Sequence, residues 1–165
     1  MCQHAKIVPI VEPELVYDGD YTIEQSIEHT GRILNQLFIE LDKKHVYLPA
    51  CILKVNMVLA GKKQARQSTP KEVGAATAQI LRQYVPRDLA GVVFLSGGQS
   101  VEQATDNLQA VTNEGPFPWP VTFSFARALQ DPALDAWQGN NDNADKAREA
   151  FRLRLIANTN ALKKN

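Results

Sequence analysis

Four short apolar runs punctuate the chain: Ile7–Val11, Cys51–Val55, Gly91–Leu95 and Val121–Phe125. Each is β-branched or aromatic in character and bounded by Gly, Pro or Asn, the pattern of a buried strand. None alternates cleanly with polar residues, which is how a parallel sheet covered on both faces reads. Between the runs, apolar residues recur at helical spacing. Thr22–Lys44 carries Ile23, Ile27, Ile33, Leu34, Leu37, Phe38 and Leu41 on one stripe. Thr69-Pro70-Lys71-Glu72 is a capping box with proline at the first helical position, opening a helix through Tyr84 that stops at Pro86. Ser100-Val101-Glu102-Gln103 reads as a second capping box, with a helix to about Val111. A short helix is expected near Pro132–Trp137. A last one is expected over about Ala144–Leu162, after the polar linker Gly139–Asn143.

The resulting order, β-α-β-α-β-α-β-α, predicts an α/β fold with right-handed crossovers and a parallel sheet of four strands with four or five helices. The 165 residues fit a single domain, 1–165. Lysine plus arginine equals aspartate plus glutamate at 18 each, so no overall charge draws the chain to nucleic acid or an anionic membrane. Cys2 and Cys51 are far apart, and His4, His29 and His45 lack metal-ligand spacing. Neither a disulfide framework nor a metal site is therefore expected. Met1–Pro9 does not read as a signal peptide, and no run reaches the ~18 apolar residues of a membrane span. A cytoplasmic location is the expectation.

In parallel α/β folds, functional groups gather at the carboxyl ends of strands. Lys54 lies inside the apolar run Ile52-Leu53-Lys54-Val55. It is either a lysine that snorkels to the strand tip or a desolvated amine able to form a Schiff base with a carbonyl. Glu12 and Glu14 share one parity, so both point to one side of the first strand's end. Such a pair is a solvated strand end, or a proton shuttle if it stands beside a reactive lysine. Ser96-Gly97-Gly98 joins a strand to a capped helix. It is a tight turn, or a cradle in which backbone N–H groups approach an anion. Arg127, past the next strand, adds a bidentate partner for phosphate.

Four stretches together resemble the carboxyl-terminal half of class I fructose-bisphosphate aldolase. They are Val8-Pro9-Ile10-Val11-Glu12-Pro13-Glu14, Leu53-Lys54-Val55-Asn56-Met57-Val58, Phe94-Leu95-Ser96-Gly97-Gly98-Gln99-Ser100 and Thr122-Phe123-Ser124-Phe125-Ala126-Arg127-Ala128-Leu129. They occur in the family's order and near its spacing. The resemblance implies TIM-barrel-type βα repeats of which the last four strands are present, half of a (β/α)8 barrel. A whole barrel takes ~250 residues. It implies Lys54 as the Schiff-base lysine, Glu12 as the acid/base group nearest the imine, and Glu14 as support for the lysine's charge network. Ser96, Gly97, Arg127 and the backbone of Ala126 would hold a phosphate of a phosphorylated sugar substrate. No cofactor or metal is implied.

Three positions depart from the family pattern: Val55 stands where proline is common, and Phe125 and Ala126 where many members have Tyr and Gly. An alanine at 126 would be strained if the site needed a positive φ. The family's first four strands are absent, with an aspartate and further cations of the active site. Half a barrel leaves two strand edges and an inner face open, so the expectation is self-association or pairing with an amino-terminal half. Little cleavage is expected from the chain alone. Two other readings are a catalytically incomplete fragment acting only as an association half, and a phosphate-binding α/β domain unrelated to aldolase.

Overall fold

The computed structural model describes residues 1–164. Strands β1 (Ile10–Val11), β2 (Ile52–Val55), β3 (Gly91–Phe94) and β4 (Val121–Phe123) form one sheet in the order β1-β2-β3-β4. Every neighbouring pair is parallel. Helices α1 (Ile23–Lys43), α2 (Pro70–Tyr84), α3 (Val101–Asn113) and α4 (Arg127–Trp137) each follow one strand, and α5 (Ala144–Asn160) follows α4. Sequential strand order with parallel pairing means each crossover returns the chain one place along the sheet. The helices accordingly pack in chain order: α1 on α2, α2 on α3, α3 on α4, with α5 against α3 and α4.

Strand register sorts the side chains onto two faces. Leu53 lies beside Val92, and Val55 beside Phe94. All four are at most 2% exposed, under the helices, in one core with Leu34, Val73, Ile80, Leu81, Leu108 and Val111. On the opposite face Ile10 lies beside Ile52, Ile52 beside Gly91, and Lys54 beside Val93, which neighbours Thr122. Among the described residues no helix covers that face, and Ile10 is 56% exposed. The unbroken apolar runs led to the expectation of a sheet covered on both sides. In this chain one side is covered, and the open side is the one the half-barrel reading assigns to the barrel interior.

Caps set the helix starts. Thr22 and Gln25 form a full capping box at α1, as do Thr69 and Glu72 at α2. Ser100 accepts from the Gln103 N–H at 3.1 Å but receives no return bond, so α3 has half of the capping box read from its sequence. β1 is shorter than the run Ile7–Val11, because Pro9 has no N–H to give the ladder. Its carbonyl still accepts from the Ile52 N–H, and Cys2–Ile7 folds into a tight turn with Lys6 at φ 59°. The other three strands are shortened by one or two residues at an end. Helix α4 begins five residues earlier than expected and contains Pro132. That proline cannot donate to the carbonyl four residues back, and the Ala128 carbonyl accepts instead from Arg154 Nε of α5 at 3.4 Å. α5 ends at Asn160 rather than Leu162. Among the described residues, no helix is long and apolar enough to cross a membrane.

Candidate active site

β1 and β2 end side by side, and their ends carry the first pair of groups. Val11 is level with Leu53, so the next residues, Glu12 and Lys54, project together from the open face. Lys54 Nζ lies 2.9 Å from Glu12 Oε1. The lysine side chain is 21% exposed and the glutamate 47%, so the ammonium end is half-sheltered while the carboxylate meets solvent. Lys54 thus does not point into the helix layer.

The loop after β1 is tied across to the loop after β2. Asn56 is buried; its Oδ1 accepts from the Leu15 N–H at 3.0 Å and its amide donates to the Met57 carbonyl at 3.0 Å. Further along, the N–H groups of Gly61, Lys62 and Lys63 donate to the carbonyls of Tyr21, Tyr17 and Gly19. A Cβ at Gly61 would lie 2.3 Å from the Gly19 carbonyl oxygen, so only glycine permits this approach. Burial pushes the Tyr21 phenol above its ordinary value, helped by Tyr17, Glu14 and Asp18.

The turn after β3 supplies the second group. Gly97 and Gly98 sit at φ 57° and 82°, the left-handed region that favours glycine, so both are required by the backbone path. A buried relay holds the turn. Gln99 donates to the Ser96 carbonyl through its backbone at 3.1 Å and its side chain at 2.9 Å, and Asn107 of α3 donates to Gln99 Oε1 at 2.6 Å. Ser96 is itself buried. Around the two glycines three loops converge. Glu14 Oε1 lies 3.8 Å from where a Cβ of Gly97 would stand. The Arg127 guanidinium and the Tyr17 ring each lie 3.6 Å from the corresponding point on Gly98.

The two carboxylates therefore divide. Glu12 meets Lys54, and Glu14 reaches the glycine turn. Arg127 stands over Gly98 rather than Gly97. Ala126 is the residue before α4, at φ −97°, so the positive φ that would disfavour alanine does not occur here. Among the described residues, the N–H groups of Ala126, Arg127 and Ala128 have no acceptor in the chain, as at any helix start. Sequence reasoning placed Gly98 in the cradle beside Gly97 and missed Tyr17, Asn56 and the Gln99–Asn107 relay. Gly98 was legible from its partner glycine; the amides become partners only through contacts across the fold.

The arrangement offers an amine beside a carboxylate and, one strand further on, a guanidinium and helix-start amides around a glycine turn. Such a set can carry imine chemistry next to an anion cradle.

The family model described as fructose-bisphosphate aldolase class-I matches residues 1–165. Fructose-bisphosphate aldolase of Plasmodium falciparum (isolate K1 / Thailand) is 45% identical over 159 residues, covering 96% of this chain and 44% of that protein. The Drosophila melanogaster fructose-bisphosphate aldolase is 44% identical over 162 residues, covering 98% of this chain and 45% of the relative. Human fructose-bisphosphate aldolase C is 45% identical, with 96% and 44% covered. A solved structure of the P. falciparum aldolase, in complex with TRAP and a small molecule inhibitor, superposes with a TM-score of 0.95 at 45% identity. It covers 98% of this chain and 46% of the other. The chain spans less than half the length of the relatives it matches.

Proposed function

The chain belongs to the class I fructose-bisphosphate aldolase family, and from that premise we propose that it carries the Schiff-base half of an aldolase active site, a glycolytic lyase in truncated or split form. The observation that carries this reading is the 2.9 Å pairing of Lys54 with Glu12 on the open face of the sheet. Family membership removes the reading of an unrelated phosphate-binding domain. The substrate on this proposal is fructose 1,6-bisphosphate, and the setting is the cytoplasm.

Lys54 adds to the C2 carbonyl of the ketose, and Glu12 gives the proton with which water leaves to form the iminium. With Glu12 then taking the proton of the C4 hydroxyl, the C3–C4 bond breaks, and its electrons flow into the iminium to give an enamine. Glyceraldehyde 3-phosphate departs. Protonation of the enamine at C3 and hydrolysis of the imine release dihydroxyacetone phosphate and restore the amine. Arg127, with the Gly97–Gly98 turn and the N–H groups at the start of α4, holds one phosphate. Ser96 shapes that turn, and Glu14 lines it.

The cations and aspartate that the family resemblance implies for the remaining strands belong to an amino-terminal half. The open face and the free edges of β1 and β4 support pairing with such a half, and self-association in its absence. The test is fructose 1,6-bisphosphate cleavage by the chain mixed with the amino-terminal half of the P. falciparum relative. Cleavage is expected in the mixture, falling to background with Lys54→Met. Arg127→Ala should raise KM by about 10- to 100-fold, the loss of one charge-assisted contact of about 1.5–3 kcal/mol. Full cleavage with Lys54→Met would overturn the assignment.

A further inference from the structure

The β1–β2 ladder ends at Val11 and Leu53, one residue short of both reacting groups. β1 is a two-residue edge strand, and Glu12 is outside it. Backbone ties between the two loops resume only at Tyr17, whose carbonyl accepts from the Lys62 N–H. Between these points the path of Glu12-Pro13-Glu14-Leu15 is held to β2 and its extension by two polar contacts among the described residues. One is the Lys54–Glu12 ion pair, which any change of charge on the lysine would weaken. The other is the neutral hydrogen bond from the Leu15 N–H to Asn56 Oδ1. Asn56 is 8% exposed, lies two residues beyond Lys54 on the same strand extension, and spends its other end on the Met57 carbonyl.

We propose that Asn56 is a positioning residue for the lysine chemistry: its side-chain amide clamps the carboxylate-bearing loop so that Glu12 stays at Lys54 even when the lysine is not an ammonium. The inference rests on the Schiff-base reading of Lys54. It adds a requirement that reading does not contain. During imine formation Lys54 passes through a neutral amine, and at that moment the ion pair no longer holds Glu12. An edge-strand loop freed there would carry the proton donor away from the atom that needs it. The Asn56–Leu15 bond carries no formal charge and is sheltered from solvent, so it persists through that change. It sits three residues from Glu12 and one from Glu14, close enough to fix both without touching substrate.

The test uses the full chain and does not need turnover. Lysines are labelled with an amine-reactive anhydride, and Lys54 labelling is measured by mass spectrometry relative to the exposed Lys62 and Lys63. Glu12→Gln should raise relative Lys54 labelling several-fold by removing its partner. Asn56→Ala should raise it to the same extent, and the double variant no further. Asn56→Asp, which keeps an acceptor for the Leu15 N–H, should recover most of the sheltering. A loss of stability alone would raise hydrogen exchange across the core amides as well and would not be rescued by aspartate. If Asn56→Ala leaves Lys54 labelling unchanged while Glu12→Gln raises it, the clamp is refuted; if neither changes it, the pair the clamp serves is refuted too. If Asn56→Ala does not fold, hydrogen exchange of the unaltered chain decides. The Leu15 amide should be protected at least ten-fold over the flanking exposed Val16, and equal exchange would overturn the proposal. Failure of the Schiff-base reading would show instead as full cleavage with Lys54→Met, which this labelling leaves untouched.

Discussion

The two faces of one sheet behave as different materials. Under the helices, Leu53, Val55, Val92 and Phe94 are at most 2% exposed and interlock with side chains from α1, α2 and α3. On the open face, β1 presents Ile10 to solvent, and Lys54 of β2 is held to Glu12 by one ion pair. Stability is concentrated on the first face, and the proposed function places the chemistry on the second. The Lys54–Glu12 geometry on the open face depends on strand ends and loop ties.

The sharpest way to break this comparison is to cut into each face in turn. Phe94→Ala should cost about 3–5 kcal/mol in urea unfolding, the usual loss for emptying a large buried aromatic. Thr122→Ala, exposed on the open face, should stay within about 0.5 kcal/mol. Equal costs would mean that the open face is also a stabilising core. A second effect concerns association. The purified chain should scatter light as a species heavier than one chain, and Ile10→Glu should shift it toward the monomer while leaving the unfolding midpoint nearly unchanged. A monodisperse monomer with a cooperative melt would show that the open face needs no cover.

Smaller effects test the helix layer. Thr69→Ala removes the α2 cap and should cost about 1 kcal/mol, read by thermal melting. The Glu72 carboxyl is held down to about 2, first by the Thr69 backbone N–H, then by Arg66 and the Thr69 hydroxyl. Its folded value is depressed, so its contribution is complete above the unfolded carboxyl value of ~4.3 and is lost as pH falls toward 2. The carboxylate sits at the surface beside the exposed Arg66, where solvent screens it, so the effect is small. It should appear as a lower melting temperature between pH 4.5 and 2 that Glu72→Gln does not share.

Much of this layout was legible in the sequence because it depends on local chemistry. The strand runs and the Thr69 cap follow from spacing alone, whereas the nearness of Glu12 to Lys54 was implied by the family resemblance. Positions fixed by distant partners were not legible. Asn56 reads as an ordinary polar residue until Leu15, 41 positions away, arrives at its oxygen. The early start of α4 was hidden because Pro132 marks a helix beginning in most sequences, whereas here Arg154 satisfies the carbonyl it leaves free. The apolar runs alone do not tell the covered face from the open one, since they retain the pattern of a barrel whose interior is filled; the expectation of an open inner face came from the family resemblance.

The most direct measurement is borohydride trapping with dihydroxyacetone phosphate, with the labelled lysine located by mass spectrometry. The account predicts little label on the chain alone and strong, selective label on Lys54 once the amino-terminal half of a relative is added. Efficient labelling of Lys54 without that half would contradict the claim that the open face is an unfinished site, and label on another lysine in the mixture would contradict the assignment of Lys54 itself.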